Sequence, residues 1–289
     1  MVRKRNAIFL VSEKGGVGKS TLAKGILDHL RRIVPDGRTQ PDQVYAADLQ
    51  PKVNQLANCY GIKKAGVNGE LPKYDLALNE FDIFKGVISA DLETDAGREL
   101  IGSSIECGAD HLLFDLPGGK SEGLAEIFGK LSTFINEMRS AGYQIVVVIA
   151  MSYLKASAAE VDAVMKIWGA SAKYVAALNL GLADRSDFIF FDGERAGEMG
   201  YPSQALLKAG GVVIEMPRLQ HTNYAMLDAD EVTFSDAATN PNIYKITPRI
   251  RIKTWLQLFD SEIAKMGLLD YSTADLDEFK SAQEQKNAK

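Results

Sequence analysis

The feature that most constrains this 289-residue chain lies near its start. The apolar run Ala7-Ile8-Phe9-Leu10-Val11 leads through Ser12-Glu13 into Lys14-Gly15-Gly16-Val17-Gly18-Lys19-Ser20-Thr21, and an amphipathic stretch follows at once. A buried strand, a glycine-rich turn and a helix start, in that order, make a cradle for phosphates. Glycines let consecutive backbone N–H groups turn inward and approach a triphosphate with no Cβ in the way. The helix that opens near Ser20 directs its positive end at the same phosphates. Lys19 supplies a point charge for the β and γ oxygens, the Ser20 hydroxyl is placed to ligate Mg2+, and Thr21 would reach a more internal phosphate. Gly15, Gly16, Val17, Gly18, Lys19, Ser20 and Thr21 are therefore the candidate nucleotide cradle, with a nucleoside triphosphate and Mg2+ as the expected ligands.

Downstream, short apolar runs alternate with longer amphipathic segments, the rhythm of a parallel sheet with helices on both faces. Strands are expected near Ala7–Val11, Gln43–Ala47, His111–Phe114, Gln144–Ala150, Tyr174–Leu178 and Val212–Glu215. Helical periodicity marks Ser20–Arg32, Leu124–Ser140, Ala156–Gly169 and Lys253–Met266. The expected fold is an α/β P-loop NTPase with a mostly parallel twisted sheet in a single domain, residues 1–271. From about Ser272 the chain lacks apolar residues to bury, so residues 272–289 are expected to fray as a flexible tail.

Composition narrows the partners. The 33 Lys+Arg against 38 Asp+Glu give a net charge of −5, which excludes coating nucleic acid by bulk positive charge but not a local basic patch. Arg249, Arg251 and Lys253 alternate with Ile250 and Ile252, and their charges would face one way if that segment were extended. Cys59 and Cys107 are too few for a disulfide framework or a four-thiolate site, and His29, His111 and His221 lack zinc spacing. No stretch approaches the about 18 uninterrupted apolar residues of a spanning helix. A cytoplasmic protein without stable membrane association is expected.

Lys14 adds something an ordinary phosphate loop does not need. The pattern Lys14-Gly15-Gly16-Val17-Gly18-Lys19-Ser20-Thr21 resembles the deviant Walker A loop of the ParA/MinD family. That resemblance implies a nucleotide-gated homodimer in which Lys14 of each copy reaches the other copy's phosphates. The plainer reading of Lys14 is a solvated loop residue. Further stations of the same resemblance follow in family order. Ala47-Asp48-Leu49-Gln50-Pro51-Lys52-Val53-Asn54 looks like switch I, with Asp48 on the aspartate that orders Mg2+ and its waters. Gln50 stands where the family usually has a second aspartate, the one that orients or activates the attacking water. Glutamine cannot accept a proton, so slow turnover is expected.

Leu112-Leu113-Phe114-Asp115-Leu116-Pro117-Gly118-Gly119 looks like a Walker B strand followed by switch II. Asp115 would hold Mg2+ through water, and the Gly118 N–H is placed to sense the γ-phosphate. Read alone, a strand-end aspartate before Pro-Gly is also a turn former. Asn179 resembles the family asparagine that contacts adenine, and an amide suits a purine edge by offering donor and acceptor together. It could equally cap the following turn. Pro217 and Arg218, with Ala225 seven residues after the arginine, resemble the segment that flanks the base.

The resemblance implies an ATP-dependent dimerisation switch with weak, partner-stimulated ATPase activity. Its task would be positioning or segregating DNA or a cellular assembly, with an activating partner protein and non-specific DNA as candidate partners. Lys14, Lys19, Asp48 and Gln50 are the candidate catalytic residues, and Ser20, Asp48 and Asp115 the candidate metal ligands. The alternative is a nucleotide-binding scaffold with little hydrolysis, because of Gln50. A metabolic ATP-dependent enzyme of the same fold normally lacks the Lys14 signature, and the polar C-terminus speaks against a membrane-cycling regulator.

Overall fold

A computed structural model describes residues 4–12, 14–50, 53–65, 72–119, 130–193 and 201–287. Its centre is a seven-stranded sheet in the order β5-β2-β6-β1-β7-β8-β9, every pairing parallel. The strands are β1 (Asn6–Val11), β2 (Val44–Asp48), β5 (Ile88–Ser89), β6 (His111–Asp115), β7 (Gln144–Met151), β8 (Ala172–Asn179) and β9 (Val212–Met216). A separate antiparallel ribbon pairs β3 (Lys63–Lys64) with β4 (Lys73–Tyr74). The six strands expected from sequence all form, within a residue or two at each end. The sheet edge β5 and the small ribbon carry no sequence signal, because two-residue strands have too few residues to show an alternation.

Parallel strands with both faces covered explain why these segments read as unbroken apolar runs. In β1, Ile8 and Leu10 join one buried cluster, and Ala7, Phe9 and Val11 join the other. On the second face Phe9 stacks on Phe114 with ring centroids 4.9 Å apart and meets Trp168 at 4.8 Å. On the first face helix α1 (Lys19–Arg32) packs against the long helix Ile246–Ala264. Strand order reverses beside β1: β6 and β2 lie on one side, β7, β8 and β9 on the other. In open α/β sheets the crevice for ligands opens at such a reversal, at the carboxyl ends of the strands.

Three segments differ from the sequence expectation. The helix expected near Lys253 begins at Ile246, with Pro248 in its first turn, where a missing N–H costs nothing. Arg249, Arg251 and Lys253 therefore lie on a helix, not on an extended segment, and their charges do not face one way. Arg251 bonds Gln220 at 2.8 Å, and Arg249 donates to the Thr239 carbonyl at 3.2 Å. Beyond Ser272, where a fraying tail is expected, the structure has a helix Thr273–Asn287. Phe279 is buried against Tyr271, and Gln283 donates to Ser261 and Glu262, so a few well-placed contacts dock an otherwise polar helix. The third is the helix expected over Leu124–Ser140, which is seen as Leu131–Ser140; residues 124–129 lie outside the described residues.

The C-terminal region is fastened to the helix that starts at the phosphate loop. Buried His29 of α1 bonds Asp260 at 2.8 Å and the Tyr271 hydroxyl at 3.1 Å, and Arg32 grips both oxygens of Asp260. His111 is likewise buried, between Asn6 and Asp42. Both histidines thus have structural partners. Cys59 and Cys107 are free thiols. No helix among the described residues is long and apolar enough to cross a membrane.

Candidate functional site

Gly18 is the hinge of the phosphate loop. It caps α1 in the left-handed region at φ 93°, and its carbonyl accepts the Leu22 N–H at 2.9 Å. The cap makes no side-chain hydrogen bond, so the first N–H groups of α1 have no side-chain cap to satisfy them, as an anion site at a helix start requires. Lys14, Gly15 and Gly16 are exposed at the rim, whereas Val17 is buried and anchors the loop to the core. Behind the loop stands Asn179, at the end of β8. Its Nδ2 donates to the Val17 carbonyl at 2.8 Å and its Oδ1 accepts the Gly181 N–H at 2.9 Å. The turn-capping role open in the sequence is thus realised, and the same side chain also stitches the loop to the sheet.

Charge concentrates where β1, β2 and β6 end. Lys19 is 6% exposed and forms an ion pair with Oδ1 of Asp115, which is wholly buried. The other carboxylate oxygen of Asp115 accepts Nε2 of Gln50 at 2.8 Å, and the same nitrogen lies 3.3 Å from Ser20 Oγ. Asp48, also wholly buried, points elsewhere. One of its oxygens accepts the Gln50 backbone N–H at 3.1 Å; the other accepts those of Leu56 and Ala57 at 2.9 and 3.2 Å. Asp48 therefore caps the helix Gln55–Tyr60 and fixes the loop that carries Gln50. Gly118 is exposed at the turn after β6, and the neighbouring Gly119 N–H bonds the Ser12 carbonyl at 2.9 Å.

Burial, and next the neighbouring Asp115, push the Asp48 carboxyl up to about 6, against the pull of its three backbone donors. A carboxyl whose folded value is raised adds stability that is full below its unfolded value and lost as pH rises through about 6. The nucleotide-free protein should therefore gain stability relative to an Asp48→Asn variant as pH falls from 7 toward 4. Thermal melts of both proteins at the two pH values check this, and a gap that moves in the variant's favour would contradict it.

Beside the loop opens a cavity of about 210 Å3. Gly16, Gly18 and Thr21 form its phosphate side; Asn179, Met216, Pro217, Leu219, Tyr224 and Trp255 form most of the rest. Apolar and aromatic walls with one amide suit a flat heteroaromatic base. Trp255 donates to the Pro217 carbonyl at 2.7 Å and so sets one wall. Arg218 points away from it, bonding the Leu180 carbonyl and Asp184, each at 3.0 Å. It joins the loops after β8 and β9. Sequence reading missed Tyr224, whose hydroxyl lies 2.6 Å from Thr21 Oγ1, and it missed Trp255 and His221 in the lining. The only available signal was position: Tyr224 immediately precedes Ala225.

The Mg2+ fit can be judged from the donors. Ser20 Oγ and Asp115 Oδ2 converge within hydrogen-bond reach of one nitrogen, and among the described residues no group of three or more His, Cys, Asp or Glu could hold a metal. One hydroxyl and one carboxylate beside a phosphate cradle is the sparse protein share that suits Mg2+, which keeps waters and takes phosphate oxygens as ligands. When bound, the ion would neutralise phosphate charge.

Parallel strand order, reversal beside β1 and a glycine-hinged loop running into α1 together define a P-loop NTPase fold. No family model matches the chain, and no curated protein matches it. Solved structures of similar fold include the MinC:MinD cell division protein complex of Aquifex aeolicus, at 16% identity and TM-score 0.49, covering 91% of this chain and 96% of that one. Another is a putative plasmid partition protein from Borrelia burgdorferi B31 bound to AMPPNP, at 13% identity and TM-score 0.44, covering 89% and 98%. A third is a McdA–ATP complex from Cyanothece, at 14% identity and TM-score 0.43, covering 87% and 96%.

Proposed function

We propose that the protein is an ATP-dependent dimerisation switch with slow ATPase activity that positions DNA or a cellular assembly. The observation that carries the reading is the paired charge at the loop: Lys19 is held on Asp115, beside a glycine-hinged helix start. A buried lysine with a carboxylate partner is poised to exchange that partner for phosphate oxygens. Ser20 and Asp115 would hold Mg2+, Asn179 and Pro217 would line the base, and Thr21 with Tyr224 would lie between base and phosphates. Asn179 retains a second N–H for a base, since only one is given to Val17.

The rim supports the dimer. Lys14 follows β1 and is exposed, and Val53 after β2, Tyr153 and Leu154 after β7, and Leu182 after β8 are exposed beyond the carboxyl ends of their strands as well. Large apolar side chains left exposed at the carboxyl ends of the strands favour burial against another surface. A second copy, with its Lys14 on the first copy's phosphates, would cover them. Purified protein should shift from monomer to dimer in light scattering when MgATP is added. Lys14→Ala should bind ATP but stay monomeric. A wild-type protein that remains monomeric with MgATP bound would sink the dimer.

A second reading has its own observation. Gln50 points an amide at Asp115, and an amide cannot take a proton from water as a carboxylate at that position could. The protein would then be a scaffold that loads ATP and hardly cleaves it. Phosphate release equal to that of Lys19→Ala, with nucleotide still bound, favours the scaffold; turnover that rises with non-specific DNA or a partner protein favours the switch.

A further inference from the structure

We infer that Gln50 is a latch that occupies the cation position of the phosphate loop and must withdraw before MgATP can load. The inference rests on the nucleotide-binding reading above and adds to it a role for this chain's departure from the family pattern.

Three contacts carry it. Gln50 Nε2 lies 2.8 Å from Asp115 Oδ2 and 3.3 Å from Ser20 Oγ. These oxygens come from two separate elements, β6 and α1, and they are the two protein groups that fit Mg2+. An amide nitrogen carries two hydrogens and partial positive charge, so it can satisfy the pair of oxygens that a hydrated cation would bridge. Lys19 holds the remaining oxygen of Asp115. Both oxygens of this buried carboxylate are thus neutralised by the chain itself. Magnesium requires ligands at about 2.0–2.1 Å in near-octahedral geometry. A cation held by Ser20 and Asp115, directly or through its waters, would need the same two oxygens that the Gln50 nitrogen occupies, so cation and amide compete for one place.

The latch has room to turn on a fixed base. The Gln50 carbonyl accepts the N–H groups of Val53 and Asn54, both at 3.0 Å, and its own N–H is held by Asp48. Its side chain is partly solvent-exposed, so it can swing out while the backbone stays pinned. An aspartate at this position could not act so. It has a shorter stem and only acceptor oxygens, and would draw a cation in rather than replace it.

The latch makes loading of ATP unusually dependent on Mg2+ concentration. A fluorescent ATP analogue at fixed concentration, titrated with MgCl2, reads this directly without turnover. Gln50→Ala should lower the half-saturating Mg2+ about tenfold, the worth of a hydrogen bond to a charged group. Gln50→Glu, of the same length but without N–H donors, should lower it too, while binding in EDTA changes much less than either. Circular dichroism confirms that both variants are folded. Half-saturating Mg2+ that stays put or rises in both variants overturns the latch while leaving the nucleotide reading intact. If wild type and Lys19→Ala both fail to bind the analogue at saturating Mg2+, the nucleotide reading falls and the latch with it.

Discussion

Gly18→Ala should abolish nucleotide binding, weakening it by more than about 100-fold in an equilibrium titration with a fluorescent ATP analogue. Two independent effects act at that position. The backbone adopts φ 93°, a region that an L side chain enters only at a cost of about 1–3 kcal/mol. A Cβ there would also lie 2.3 Å from Asn179 Nδ2 and 3.0 Å from Met216 Cε, inside contact distance of the side chain that ties the loop to β8. The loop must reshape to admit the methyl group, and the N–H groups at the start of α1 lose their convergence. The fold should survive, because the loop lies beyond the carboxyl end of β1, outside the packed core. Binding within about threefold of wild type would show that the loop's geometry is not what holds the ligand.

The second large effect concerns stability. Gly25 lies midway along α1, a place where glycine costs about 1 kcal/mol relative to alanine. Its reason is Phe259, whose Cε1 would lie only 2.0 Å from a Cβ at residue 25. The ring is wholly buried and packs on Trp255 at 5.1 Å between centroids, so it cannot step aside cheaply. Gly25→Val should destabilise the protein by about 3 kcal/mol, several degrees in Tm. Adding Phe259→Leu should return part of the loss, because the two changes share one contact and cannot add independently. Chemical denaturation of the two single variants and the double variant checks this; strictly additive losses would refute the wedge. Since α1 starts at the phosphate loop, this packing also sets the loop's angle against the sheet.

Much of the architecture was legible before any coordinates. Ala7–Val11, His111–Phe114 and Tyr174–Leu178 read as buried parallel strands because they are largely apolar on both faces, and the structure covers both faces. What stayed illegible has a physical cause in each case. The short edge strand Ile88–Ser89 is too brief for a pattern. The helix Thr273–Asn287 docks through Phe279 and Gln283, contacts that composition does not reveal. Tyr224, Trp255 and Thr21 meet at one cavity only because helices far apart in sequence converge there.

The candidate site divides in the same way. The chain's order alone determined the phosphate loop, since strand, glycines, lysine, hydroxyl and helix start are local neighbours whose geometry follows from backbone freedom and the helix dipole. Long-range packing decided the rest. It turned Asp48 onto three backbone N–H groups, gave Asn179 to the loop rather than leaving it free, aimed Arg218 at Asp184, and set the Gln50 amide between Ser20 and Asp115. Each of these side chains offers several hydrogen-bonding atoms, and only the positions of distant strands settle which partner each one meets.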